Sequence, residues 1–144
     1  MKRFITTVIC IGLSFGLPVA ALAEDDAKTS TDDIAIYATM NVTQENFAAF
    51  EAALGPIIDI VQGEEGTLIY DYLRAGDTVY LYERYEDTAA FMAHLENTGA
   101  LVGELFAVAE ITSVIAMTPI PDELKPVLEK FQATMTAPIT SKSD

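Results

Sequence analysis

Histidine, cysteine and tryptophan are nearly missing from this sequence. One His and one Cys occur in 144 residues, and Trp does not occur at all. One His and one Cys cannot build a zinc site, which draws four ligands mostly from those two types. Cations are scarce as well. Eight Lys and Arg stand against 22 Asp and Glu, a formal net charge of −14. A phosphate backbone is gripped by clustered cations, so this balance argues against a nucleic-acid partner. The motifs G-x-S-x-G, G-x-G-x-x-G and the P-loop are absent, which leaves a hydrolase, a kinase or a nicotinamide dehydrogenase without footing. Apolar residues, by contrast, make up 51% of the chain. That is too apolar for a disordered chain, and the length suits one domain.

Part of that apolar share lies at the start. Lys2 and Arg3 precede an uncharged stretch from Phe4 to Leu22 that ends Ala21-Leu22-Ala23 before Glu24-Asp25-Asp26. A basic start, an apolar middle and a small-x-small exit describe a signal peptide over residues 1–23, hence export to the periplasm or the medium. A membrane anchor is the rival, since the run approaches the ~20 residues of a span. Gly12, Gly16, Pro18 and the small-residue exit favour cleavage, leaving no membrane attachment. Cleavage after Ala23 removes two basic residues and no acid, so the charge moves from −14 to −16. It also removes Cys10, so the exported domain is held by its core and not by disulfides. Residues 24–33 read as a polar leader, and residues 136–144 as a tail.

Between them the pattern alternates strand and helix. Ile34 to Asn41 is an apolar first strand. Thr43 caps a helix whose Phe47, Phe50, Leu54, Ile57, Ile58 and Val61 recur at spacings of three and four. Gly55-Pro56 predicts a kink in it. Thr67 to Arg74 and Thr78 to Tyr85 form a hairpin around Ala75-Gly76-Asp77. Asp87 or Thr88 caps a helix to about Asn97, and a second helical piece runs from Ala100 to Glu110. Gly99-x-x-x-Gly103 reads as close helix packing. Ile111 to Thr118 is the fourth strand, and Leu124, Val127, Leu128, Phe131 and Met135 mark a C-terminal amphipathic helix. The order predicts an α+β, ferredoxin-like βαββαβ unit over residues 34–135. It has an antiparallel sheet, helices on one face and an extra C-terminal helix.

The hairpin carries Tyr70, Tyr72, Tyr80, Tyr82 and Tyr85 among aliphatic residues and hardly alternates with polar ones. A sheet covered on one face alone should alternate. The second face therefore needs a cover, and a second copy about a two-fold axis supplies one, which predicts a homodimer.

Gly66-x-x-x-Tyr70, Tyr82-Glu83-x-Tyr85, Ala89-Ala90-Phe91 and His94-Leu95 together carry a resemblance. This segment resembles the antibiotic biosynthesis monooxygenase family, and the likeness extends more weakly over Ile34 to about Thr118. The resemblance implies ferredoxin-like subunits paired into a dimeric α/β barrel. It also implies, for some members, oxidation of phenols, quinols or anthrones by O₂ without metal or flavin. Other members bind or degrade haem, isomerise small metabolites or have no known activity. The Asn-Trp-His set of the haem-degrading branch is incomplete here, since no Trp occurs.

Few residues remain that carry chemistry. His94 borders the apolar face of its helix and is the one side chain that ordinarily titrates near neutrality. It is the candidate base for a phenolic proton. Alternatively, it is a helix His bonded to a carboxylate such as Glu83 or Glu96. Glu83, on a strand among apolar neighbours, is the second catalytic candidate; the alternative is an ion pair with Arg74 or Arg84. Tyr70, Tyr85, Asn41 and Phe91 are the candidate substrate-binding residues. The leading expectation is a cofactor-free oxygenase acting on a small aromatic with O₂, with no metal. The runner-up is a non-catalytic periplasmic binding or interaction module on the same fold.

Overall fold

The computed structural model describes residues 32–140. The predicted signal peptide, most of the polar leader and the last four residues of the tail lie outside them. Nine elements follow in order: β1 (Ile34–Asn41), α1 (Phe47–Val61), β2 (Thr67–Ala75), β3 (Thr78–Tyr85), α2 (Thr88–Thr98), α3 (Val102–Phe106), β4 (Glu110–Ala116), α4 (Lys125–Glu129) and β5 (Thr134–Met135). The sheet order is β2-β3-β1-β4-β5. Each of the first four strands is antiparallel to its neighbours among them, as a split βαβ plan requires, and β5 adds a short parallel strand beside β4. The sheet is therefore mixed, where a purely antiparallel one was expected.

Alternation along the strands sorts the side chains. Ile34, Ile36, Ala38 and Met40 of β1, Val79, Leu81 and Tyr85 of β3, and Val114 and Ala116 of β4 are buried under the helices. Phe50 and Ile57 of α1, Phe91 of α2, Leu105 of α3 and Leu128 of α4 close over them. The opposite face carries Tyr37, Tyr80 and Tyr82. Tyr37 pairs across strands with Tyr82 and stacks on Tyr80 with ring centroids 6.3 Å apart. The hairpin that hardly alternates in hydrophobicity thus alternates in direction. Tyr70, Tyr72 and Tyr85 point in, and Tyr80 and Tyr82 point out.

α1 is helical on both sides of Pro56, where a kink is expected. Pro56 cannot donate to the Ala52 carbonyl, but both residues are exposed, so water can serve that carbonyl. The C-terminal helix stops at Glu129, short of the expected Met135. Ala133 N donates to the Leu128 carbonyl at 3.1 Å, and Gln132 adopts φ 55°. That left-handed residue turns the chain back to the sheet, where β5 forms. Phe131 and Met135, expected on one helix face, instead lie in the turn and in β5, and both pack on the core. The second helical piece is also shorter than expected, reduced to α3.

A bulge in β4 matters for the cavity. Thr39 pairs with Ser113 and Met40 with Ile111, leaving Thr112 as an extra residue. The bulge brings Ile111 to the same side as Val114. Thr112 Oγ1 secures it by donating to the Thr39 carbonyl at 3.0 Å.

Candidate active site

The site begins with how α2 is set. The Asp87 side chain accepts from Ala90 N at 2.8 Å and so caps the helix. From there Phe91, His94 and Thr98 fall at spacings of three and four on one face, and all three are buried. His94 is only 4% exposed. The loop before β2 seats directly on this helix. A Cβ built on Gly66 would lie 2.5 Å from the Ala90 Cβ, so only glycine permits that approach. Gly99 is confined by its own helix, with the Leu95 carbonyl 2.7 Å from its Cβ position, whereas Gly103 has open space around it. Neither glycine of that pair meets another helix at its Cβ position.

Seating the loop on α2 delivers Glu64. Its Oε2 lies 2.9 Å from His94 Nδ1 and accepts from Thr67 Oγ1 at 2.7 Å. Its Oε1 accepts from Asn97 Nδ2 at 2.9 Å. The His94 and Glu64 side chains are 5% and 10% exposed. Burial works against ionising Glu64. The hydrogen bonds from Asn97, His94 and Thr67, with the His94 charge, outweigh it and hold the carboxyl below its usual value. The partner expected for His94 was Glu83 or Glu96; the structure supplies Glu64 instead. In the sequence, Gly63-Glu64-Glu65-Gly66 reads only as a break between the first helix and the second strand. Its one signal was a carboxylate in a short loop between two glycines, and nothing local shows that the loop returns to α2.

The other ring nitrogen, Nε2, makes no hydrogen bond among the described residues. Yet no buried side-chain nitrogen or oxygen among the described residues lacks a partner. Nε2 therefore reaches accessible space. His94 lines a cavity of about 110 Å³ between the sheet and the helices, together with Tyr70, Tyr72, Glu83, Phe91 and a wall of aliphatic residues. Apolar surface dominates the lining, and no Lys or Arg contributes to it. The Tyr70 and Tyr85 rings flank the imidazole at centroid distances of 5.0 and 5.1 Å. Phe106, 37% exposed, and Phe131 also line the cavity. An engineered apolar cavity of roughly 150 Å³ holds benzene, so the scale suits one small ring.

Glu83 lies on the inner face of β3 and is half-buried, with its accessible part lining the cavity. Its Oε2 accepts from the Tyr85 hydroxyl at 2.8 Å. Burial pushes its carboxyl up to about 7, against the lowering effect of that hydrogen bond. The expected ion pairs with Arg74 and Arg84 are not made. Arg84 pairs with Asp33 at 2.6 Å; Arg74 bonds Gln44 and the Gly76 carbonyl and covers the Phe47 ring. Burial, with negative neighbours, also raises the phenols of Tyr70 and Tyr85 well above their ordinary value. Both are therefore donors and not bases near neutrality.

Of the six candidate residues, the structure brings His94, Glu83, Tyr70 and Phe91 together on the cavity wall. Tyr85 stands just behind it, bonded to Glu83 and edge-on to Phe91 at 5.2 Å. Asn41 is exposed at the end of β1, paired with Thr78 and Glu110, and does not line the cavity. Among the described residues no three His, Cys, Asp or Glu side chains gather as a metal ion would need.

Residues 33–101, which hold β1 through α2, match the family model of the antibiotic biosynthesis monooxygenases. This part of the chain is similar to the antibiotic biosynthesis monooxygenases. Solved structures agree on its fold. MupZ from Pseudomonas fluorescens is 22% identical, with a TM-score of 0.70 over 78% of this chain and 95% of that one. Rv0793 from Mycobacterium tuberculosis is 20% identical, with a TM-score of 0.53 over 63% of this chain and 98% of that one. SnoaB from Streptomyces nogalater, a cofactor-independent oxygenase, is 17% identical, with a TM-score of 0.52 over 62% of this chain and 95% of that one. At these identities the likeness shows the fold alone. None of the curated proteins matches the sequence. The matched stretch ends before α3, so the rest of the cavity wall, from Val102 to Phe131, comes from the part of the chain that follows it.

Proposed function

We propose that this protein is an exported, dimeric, cofactor-independent oxygenase that converts a small phenol or quinol with O₂. The observation that carries the reading is the chain's single histidine. It stands buried on the wall of an apolar cavity, with Nδ1 held by Glu64 and Nε2 reaching accessible space. Nε2 takes the substrate's phenolic proton, and the electron-rich anion is the reductant for O₂. A ring carbon bonds one oxygen atom. The peroxide accepts the proton back from His94 and loses water, leaving a carbonyl. All electrons come from the substrate, and the second oxygen leaves as water. The mostly apolar cavity favours this sequence by limiting the water around the reactive anion. Glu83, near half-ionised at neutral pH, and the Tyr70 hydroxyl are placed to orient the substrate oxygen.

Oxygen uptake measured with a panel of quinols, in air and under nitrogen, tests the reading. Uptake is expected for at least one small quinol, and His94→Ala is expected to lower it by 10²–10⁴-fold, the ordinary worth of a positioned base. Uptake unchanged in His94→Ala removes His94 from the mechanism. Export rests on the leader, and N-terminal sequencing of the mature protein should begin at Glu24. Dimerisation rests on the outer sheet face of Tyr37, Tyr80 and Tyr82.

A further inference from the structure

The proposed base raises the question of what makes its Nε2 the basic nitrogen. A neutral imidazole carries one proton, which can sit on either nitrogen, and only the bare nitrogen accepts. In water the proton prefers Nε2, which would leave the cavity facing a donor. We infer that Glu64 is the positioning residue that sets this choice: its carboxylate holds the proton on Nδ1 and so presents the Nε2 lone pair to the cavity. This assignment deepens the proposed oxygenase reading, because it concerns the same histidine. The tautomer itself, however, is independent of any reaction.

Three observations on Glu64 support it. The Glu64 Oε2 to His94 Nδ1 distance is 2.9 Å, within hydrogen-bond reach. An ionised carboxylate only accepts, so that bond requires the hydrogen to be on Nδ1. Thr67 and Asn97 each donate to Glu64, filling both oxygens and fixing the carboxylate plane. These two partners come from separate elements, Thr67 from β2 and Asn97 from α2. The carboxylate is thus held by two hydrogen bonds besides the one to the histidine it orients. At the far end of the ring no group among the described residues hydrogen-bonds Nε2. Such an arrangement, in which a buried carboxylate fixes a histidine's tautomer and orientation, recurs where histidine serves as a base or a metal ligand.

Because the chain has one histidine, a long-range ¹⁵N–¹H NMR spectrum reads the tautomer without assignment. The expected wild-type spectrum, taken at a pH where the same spectra show a neutral ring, is dominated by the Nδ1–H form. Glu64→Ala should return the ring to Nε2–H. Glu64→Gln, which keeps the volume but has an amide that can also donate, should give a mixture. It serves as the second variant if Glu64→Ala does not fold by circular dichroism. Wild-type protein in the Nε2–H form, or variants that retain Nδ1–H, would overturn the assignment. Quinol oxidation separates the two proposals. No uptake by wild-type protein with an Nδ1–H spectrum overturns the oxygenase and leaves Glu64 in its role. Full kcat in folded Glu64→Gln with an unchanged spectrum does the reverse.

Discussion

Glu83 shows how a single side chain can tie stability to pH. Its carboxyl titrates near 4.5 in an unfolded chain and near 7 in the fold. Between those values the folded state keeps the proton that the unfolded state has lost. Glu83 therefore lowers stability progressively as pH rises through that window, with a ceiling of roughly 3 kcal/mol above it. Glu83→Gln keeps the neutral shape and removes the titration. Urea melts should find the variant gaining on wild type between pH 4.5 and pH 8; a constant difference would refute the linkage. His94 and Glu83 were legible in the sequence because each was a rare or misplaced group, a lone imidazole and an acid among apolar strand residues. Glu64 was not legible. Nothing within its own loop distinguishes it from Glu65, and its role exists only once the loop reaches α2.

At the scale of elements, the contact between the loop and α2 is the joint on which the site depends. Gly66→Ala would force a Cβ to within 2.5 Å of the Ala90 Cβ. The loop must then lift from the helix, at a cost of about 1–3 kcal/mol. Thermal melts should show that loss, and Gly66→Ala with Ala90→Gly should recover much of it. Asp87→Ala, which removes the cap of the same helix, should cost about 0.5–2 kcal/mol in the same assay. The strand–helix order was readable from periodicity because β1, α1, the hairpin and α2 are each long enough to show a period. The C-terminal segment was misread for a physical reason. Leu124, Val127, Leu128 and Phe131 have helical spacing, and the helix they begin is real. What ends it is a left-handed Gln132, a residue type that carries no stop signal. The return of the chain to β4 is a tertiary event that spacing does not encode.

The whole molecule pairs a strong negative charge with a cavity that holds no cation. Both disfavour an anionic ligand. A neutral phenol should therefore bind better than its carboxylated analogue, and the part due to the overall field should shrink with added salt. Competition binding at two ionic strengths checks this. The outer sheet face predicts a dimer by sedimentation, and Tyr82→Glu is expected to give monomers. Here β3 has a consequence for descent. Tyr80 and Tyr82 look outward, while Leu81 and Glu83 look into the cavity. On the proposed dimeric oxygenase reading, neighbouring codons answer to different selection, one for assembly and the next for chemistry. Replacement can retune either side alone, whereas a one-codon insertion exchanges both at once. Homologous chains should vary in the letters of this strand and keep its length.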